Sequence, residues 1–347
     1  MCNFRTMALL FLAVISKQGW AADWQAAGLA RDHHRAEQAA REQRECQDKV
    51  AAFVANPTLT TLDFKGAFGI GPEGARQLAE VLRTNPPLTT LVLSTPRRFC
   101  IGAAGAAAIA NALMENHVLT ILDLNGDFIT DDGVIALAAA LRVNRTLHTL
   151  DLSDNDIEDG GAIALAAALR VNGTLRTLDL CSLKIGVPGV TALANALEQN
   201  GVLTTLKLSP RIGNEGVNVL AAALMRNNTL TTLDLNGYGM PRPSKIGAEG
   251  VIALAAALKG NLTLTTLILE NNQLSEDEDV ETAGGKALAE IRTRLERNKR
   301  FDTMRPSIFA SIMGARRFLP LLPPEIFVDY IIIDLLIYTA PPAPTDA

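Results

Sequence analysis

The residues with the clearest chemical character occupy one position of a repeated pattern, LxxLxLxx, between its second and third leucines. Aspartates fill most of these positions, and neighbouring carboxylates about 5 Å apart on adjacent strands repel each other by roughly 0.8 kcal/mol in bulk water. A lysine or arginine of a partner would relieve that repulsion, so the column is a candidate recognition surface. A second interpretation stays open, in which aspartate is only the regular residue of the frame. The occupants in chain order are Asp63, Val92, Asp123, Asp151, Asp179, Lys207, Asp234 and Ile268.

Side chains that depart from the regular columns are the better candidates for distinguishing one partner from another. Lys207 reverses the charge of the acidic column, and His148 and Arg176 replace smaller residues. A neighbouring column is threonine except at Ile121. The predicted partner-binding residues are Asp63, Asp123, Asp151, Asp179, Lys207, Asp234, His148, Arg176, Arg97, Arg98 and Tyr238.

Catalytic and metal chemistry have little support in the sequence. No GxSxG, HExxH, glycine-rich phosphate loop or paired cysteine and histidine is present. The cysteines lie far apart without zinc spacing, and His33 and His34 are adjacent, so they do not share a helix face. We therefore predict no catalytic residue, no metal site and no cofactor.

The elements that position the acidic column are eight repeated units of strand and helix. Each leucine trio predicts a short strand, and the alanine- and leucine-rich stretch after it has helical apolar spacing. One such unit cannot bury its own leucines, so the units must stack, with parallel strands on the concave face and wider helices on the convex face. The leading leucines are Leu59, Leu88, Leu119, Leu147, Leu175, Leu203, Leu230 and Leu264.

An asparagine stands three residues before every leading leucine, from Asn56 to Asn261, and Asn298 keeps the same spacing. Asparagine tolerates the left-handed conformation, so we expect it to end each helix and turn the chain. Some of these asparagines begin N-x-T triplets, although the turn role predicts them without a sugar. The triplets begin at Asn144, Asn172, Asn227 and Asn261.

Variation in repeat length falls between strand and helix. A glycine near each helix start lies fourteen residues before the next leading leucine, so the helical half has constant length. Insertions at Pro96–Cys100 and Tyr238–Lys245 enlarge two loops on one rim. Such a rim is either where specificity is built or where insertions are tolerated.

The segment LHTLDLSDNDIEDGGAIALAAALRVN, from Leu147 to Asn172, resembles the ribonuclease-inhibitor-like leucine-rich repeats also found in NOD-like receptors and Ran GTPase-activating protein. The similarity covers roughly Asn56 to Asn298. It implies an α/β leucine-rich-repeat solenoid, a horseshoe with strands inside and helices outside. Members use this frame to bind partners of many kinds, so the resemblance implies a protein-binding role without naming the partner.

Charge narrows the class of partner. The formal net charge is −5 and the pI is about 5.5, which provides no basic field for a nucleic acid. A protein with a basic surface is the expected partner.

A GTPase-activating role is an alternative, because an arginine can stabilise the transition-state charge of a phosphoryl group. Arg97 and Arg98 lie in an enlarged loop, with Arg211 and Arg242 on the same rim. A ubiquitin-ligase adaptor is another, because LPPEIFVDYIIIDLL from Leu322 is similar to the opening of an F-box.

The two ends lie outside the repeats. Residues 1–22 read as a signal peptide or an apolar cap, which leaves export and a cytoplasmic location equally open. Residues 23–55 are predicted as a capping helix, 56–300 as the repeat domain, 301–340 as an apolar helical cap and 341–347 as a disordered tail. Prolines and acids interrupt the apolar block Phe318–Tyr338, so no membrane span is predicted, and oligomeric state is not predicted.

Overall fold

The computed structural model describes residues 41, 44–65, 69–94, 100–181, 184–236, 246–272 and 282–315. Each leucine trio forms a strand because its second leucine points inward while its neighbours face the other side of the sheet. The strands are β1 Thr61–Asp63, β2 Thr90–Val92, β3 Ile121–Asp123, β4 Thr149–Asp151, β5 Thr177–Leu180, β6 Thr205–Leu208, β7 Thr232–Asp234 and β8 Thr266–Ile268.

Helices alternate with these strands, and alanines on their inner faces let them approach closely. The described helices are α1 at residues 44–55, α2 Gly71–Arg83, α3 Gly102–Leu113, α4 Asp131–Leu141, α5 Asp159–Leu169, α6 Val187–Leu197, α7 Gly213–Leu224, α8 Ala248–Ala257 and α9 Ala283–Ala315. A 3-10 turn at Pro210–Ile212 precedes α7.

The strands form one sheet in sequence order, and every neighbouring pair is parallel. The register aligns equivalent residues, so that Leu150 lies beside Leu178 and Asp151 beside Asp179. Both leucines are 0% exposed, and one core runs the length of the stack between sheet and helices. The predicted α/β solenoid is confirmed.

The repeated asparagines form a buried ladder. The Asn172 side chain donates to the carbonyls of Leu141 and Asn144 in the preceding repeat, at 2.7 and 3.4 Å. Its Oδ1 accepts the backbone N–H groups of Thr174 and Leu175, at 2.9 and 2.8 Å. Each asparagine therefore satisfies carbonyls at the end of one helix and amides at the start of the next strand. Six asparagines at this repeat position are buried, namely Asn116, Asn144, Asn172, Asn200, Asn227 and Asn261.

The predicted left-handed conformation is wrong for these six asparagines. Among the described repeat asparagines that precede a leading leucine, only Asn85 has a positive φ, of 55°. Hydrogen bonding across repeats, rather than backbone tolerance, explains the recurrence. A glycan on Nδ2 would also occupy the buried atom that donates to the preceding repeat, so the folded ladder cannot carry one at the N-x-T triplets.

The recurrent glycines lie in close contacts, with the isoleucine four residues earlier and in most repeats with the preceding helix as well. A Cβ atom on Gly189 would come within 2.7 Å of Asp159 Oδ1 and 2.9 Å of Ala162 Cβ. That carboxylate accepts the N–H groups of Gly186 and Gly189, at 2.8 and 3.0 Å. Asp159 lies at the start of α5 and caps the start of α6, which has no side-chain cap of its own. This contact explains the glycine at that position.

The last helix ends the ladder in a different way. Asn298 lies within α9 rather than before a strand, so its expected turn role is wrong. The Arg297 guanidinium lies against the end of the preceding helix, where it donates to the carbonyls of Leu258 and Asn261 at 3.0 and 2.8 Å. Arginine can do this because it carries several donors in a planar fork. None of the described helices combines the length and apolar character that crossing a bilayer requires.

Candidate functional site

The register of the sheet places the predicted acidic column along the concave face. Asp123 pairs with Asp151, Asp151 with Asp179, and Asp179 with Lys207. Val92 separates Asp63 from this group, and Lys207 separates Asp234 from it. The structure thus brings together the central part of the column. We use the name central patch for Asp123, Asp151, Asp179, Lys207, His148 and Arg176.

Each aspartate of the column also has a local structural role. The Asp151 carboxylate accepts the backbone N–H of Ser153 at 2.9 Å, just after the strand ends. The same bond recurs from Asn125 to Asp123 at 3.0 Å and from Asn236 to Asp234 at 2.9 Å. A carboxylate here satisfies an amide at the strand end, as in an Asx turn. Aspartate therefore recurs for a structural reason, whatever it also binds.

Lys207 neutralises part of the column from within the chain. Its Nζ lies 2.9 Å from Asp179 Oδ2, and the Asp179 side chain is only 9% exposed. The hydrogen bond to Asp179 raises the pKa of Lys207 above its ordinary value, despite partial burial. Asp179 already has a cationic partner, so it is less available to an outside lysine than Asp123 or Asp151.

Asp151 is the middle carboxylate of the patch, with Asp123 and Asp179 beside it on the adjacent strands. Burial and the Asp179 and Asp123 carboxylates raise its pKa above the ordinary value, although the Ser153 hydroxyl and N–H oppose the shift. The nearby Cys181 thiol is also affected, because burial and Asp179 raise its pKa and keep it protonated. A cation placed beside Asp151 would lower the free energy of its charged form.

We expect Asp151→Asn to have a higher free energy of unfolding than the native chain at pH 7. This difference should disappear below about pH 4, near the pKa of an unfolded aspartate. A carboxyl whose pKa is raised in the folded state favours folding at low pH, and this contribution is lost as pH rises through that pKa. Asparagine retains the Oδ1 acceptor for Ser153 without the charge. Urea unfolding from pH 4 to 7 measures the difference, and a difference that shrinks with rising pH would contradict the assignment.

His148 and Arg176 interrupt a second ladder beside the patch. At this position the threonine hydroxyls fold back onto the preceding repeat, for example from Thr120 to the Thr89 carbonyl at 2.9 Å. Thr204 and Thr231 make the same bond, at 3.1 and 3.0 Å. The Arg176 guanidinium makes no such bond among the described residues and is exposed. His148 is half-buried, and its Nδ1 lies 2.5 Å from the Thr146 carbonyl oxygen.

A polar network at the strand ends escaped the sequence analysis. Ser94 donates to Asn125 Oδ1 at 3.2 Å, and the Asn125 amide donates to the Ser153 hydroxyl at 2.7 Å. That hydroxyl donates to Asp151 at 2.5 Å. These residues occupy the position two after the acidic column, where the sequence has the polar residues Ser94, Asn125 and Ser153 in successive repeats. The network holds the strand ends of three repeats and orients the Asp151 carboxylate.

Three predicted binding residues, Arg97, Arg98 and Tyr238, lie outside the described residues, as does Arg242. Arg211 is exposed in the 3-10 turn. Over the described part of the chain, no group of three or more histidine, cysteine, aspartate or glutamate side chains is arranged to hold a metal ion.

The match to a family model agrees with this architecture. The family model described as "Leucine Rich repeat" matches residues 55–79, 115–138 and 143–166. A solved structure titled "Leiomodin-1 Actin-Binding Site 2 (ABS2)" is 20% identical, with a TM-score of 0.38, over 61% of this chain and 96% of that one. No curated protein matches the sequence. The chain carries leucine-rich repeats and folds as an α/β leucine-rich-repeat solenoid.

Proposed function

We propose that this protein is a non-catalytic scaffold that binds a protein partner through its concave face and its strand-to-helix rim loops. The observation that carries the proposal is the central patch. Its charged side chains lie on adjacent strands, and three of them, His148, Arg176 and Lys207, depart from the repeating frame. Arg176 is exposed without a described partner. Exposed charges that the frame does not use are free to bind another molecule.

The patch fits a partner with a basic residue at Asp123 and Asp151. Lys207 already pairs with Asp179, which leaves these two carboxylates as the charges to be matched. An incoming lysine or arginine would offset the burial and the carboxylate repulsion that together raise the pKa of Asp151. Ile121 lies beside Thr149 on the same face, is 37% exposed and would supply an apolar contact. An acidic residue of the partner would complete the match at Arg176.

We also propose the ribonuclease-inhibitor-like type of repeat. The inter-strand segments of the described chain contain full α-helices, such as α4 and α5 with 11 residues each, rather than short 3-10 turns. Of the four rim arginines of the GTPase-activating alternative, only Arg211 is described, and the segment behind the ubiquitin-ligase alternative lies outside the described residues. No structural observation favours either function.

The test compares affinity capture by the full chain, by an Asp123→Asn/Asp151→Asn variant and by a charge-matched control. The control, Asp132→Asn/Asp302→Asn, removes two exposed carboxylates from helices. Asparagine keeps the acceptor for the strand-end amide, so both variants should fold, which circular dichroism checks. Quantitative mass spectrometry should show a protein that the concave variant loses and the control retains.

The captured protein is then purified and its Kd measured. We expect about tenfold to hundredfold weaker binding by the concave variant, the range typical of interface residues worth 1–3 kcal/mol. The association rate of the native chain should also fall with added salt, since steering by opposite charges is screened. Equal capture by all three proteins would exclude the central patch as the binding surface.

A further inference from the structure

The C-terminal end of the sheet is less covered than any other part of its core among the described residues. The central leucine of each preceding strand is at most 1% exposed, whereas Leu267 of β8 is only partly buried. Leu269 is also partly buried, although its counterpart Leu235 is 0% exposed. Apolar side chains that the repeat normally encloses are therefore only partly covered at this end.

The backbone of β8 also has hydrogen-bonding groups without described partners along its free edge. In the preceding repeat, the Thr231 carbonyl accepts the N–H of Thr265 and the Leu235 N–H donates to Ile268, both at 2.9 Å. The equivalent groups of the last repeat are the Thr265 carbonyl and the Leu269 N–H, and no described residue pairs with them. The segment from Thr265 to Leu269 contains no charge and no proline. Edges of this kind bind another strand or segment unless something covers them.

The N-terminal end shows how this molecule covers its first strand. Val50 and Phe53 of α1 are 1% and 2% exposed, packed against the core beside β1. Lys49 lies over the Phe64 ring, 4.8 Å from its centroid, and donates to the Asp63 carbonyl. A segment of the chain itself therefore caps the strand layer at that end.

At the C-terminal end, α9 covers only the helix layer among the described residues. Ala287 and Ile291 are buried, and Arg297 reaches the carbonyls that end the preceding repeat. Asn298 contacts the Leu264 carbonyl at 2.7 Å, at the start of the last repeat's strand segment. Over the part of the chain that the structure describes, no helix covers the strand layer at this end as α1 does at the other.

We propose that the apolar segment Phe318–Tyr338 of the same chain covers the open end of the sheet, with one face on Leu267, Leu269 and the free edge of β8. The segment begins three residues after α9 ends. The spacing of its residues Ile326, Tyr330, Ile333 and Ile337 predicts a helix with these four side chains on one apolar face. The segment lies outside the described residues, and the inference does not depend on the proposed function.

Chain length allows the contact. From Asn298 to the end of α9 at Ala315 the helix extends about 26 Å, at 1.5 Å per residue. Residues 316–324 can span about 30 Å when extended, enough to bring the predicted apolar face, which begins at Ile326, back to β8. The prolines in this stretch favour an extended backbone. A tethered segment also acts at a local concentration in the millimolar range, which favours it over a second copy of the protein.

A photo-crosslinker at Ile268 in the otherwise native full chain tests the contact. We expect a crosslink within one chain, mapped by mass spectrometry to peptides from residues 318–338. A crosslinked dimer would show instead that a second copy occupies the edge, and a crosslink to neither would show that the edge is open. Either result would overturn the proposal.

Hydrogen exchange provides an independent test with a matched control. Ile333→Asp/Ile337→Asp places charges on the proposed contact face, and Leu335→Asp places one on the opposite face of the same segment. The first variant should speed exchange of the Leu269 amide at least tenfold and leave Leu152 in the central repeats unchanged. The control should resemble the native chain. Equal exchange of Leu269 in the native chain and the first variant would contradict the proposal.

Discussion

Replacing Asn227 with alanine should lower the free energy of unfolding by about 3 to 5 kcal/mol. Its amide donates to the carbonyls of Leu197 and Asn200 at 2.7 and 3.4 Å. Its Oδ1 accepts the N–H groups of Thr229 and Leu230, at 3.1 and 2.8 Å. Alanine leaves these buried groups without partners, and each unsatisfied group costs on the order of 1–3 kcal/mol. Urea unfolding followed by circular dichroism measures the loss.

The adjacent residue provides the control. Asn228 is exposed, so Asn228→Ala should change the free energy of unfolding by less than about 0.5 kcal/mol. Asn227→Asp is a sharper variant, because an ionised aspartate keeps the acceptor but cannot donate to the two carbonyls. It should destabilise at least as much as alanine. Similar stabilities for the two alanine variants would show that the ladder does not hold the repeats together.

Gly189→Ala should lower the free energy of unfolding by about 1–3 kcal/mol, the range for overpacking a close contact. The added Cβ would lie 2.7 Å from Asp159 Oδ1 and 2.9 Å from Ala162 Cβ. The α5 and α6 helices must separate, or Asp159 must give up its hydrogen bonds to Gly186 and Gly189. Thermal and urea unfolding of the full chain provide the measurement.

Two other glycines should respond in the opposite direction. A Cβ on Gly173 or Gly201 would meet nothing within 4 Å, and neither has a positive φ. Alanine at these positions restricts the unfolded chain, so it should be neutral or stabilise by up to about 1 kcal/mol. If Gly189→Ala is as well tolerated as Gly173→Ala, close packing between the helices does not explain the glycine.

The repeat period was readable from the residues because leucine spacing is a local signal. A strand such as Thr149–Asp151 and a helix such as Asp159–Leu169 follow from alternation and helical spacing. The parallel order of the sheet follows as well, since identical short units can bury their leucines only by stacking in sequence. The reason for the asparagine was predicted wrongly, because its hydrogen-bonding partners lie about thirty residues earlier in the chain.

The sequence predicts that the aspartates of the candidate site form one column, but it does not predict that their surroundings differ. Asp123, Asp151 and Asp179 are the same residue type at the same repeat position. Their differences arise from neighbours on adjacent strands, chiefly the Lys207 ion pair and the Ser153 hydroxyl. Binding by any of these residues remains a prediction.

Sequence alone determined the α/β repeat, its eight strands and the column in which each polar residue would lie, because these follow from local spacing along the chain. Tertiary structure alone decided which asparagine bonds to which carbonyl, why Gly189 lacks a side chain and where Arg297 ends the ladder. Those contacts join residues roughly thirty to forty positions apart, and their energies depend on distances and burial that arise only when neighbouring repeats stack.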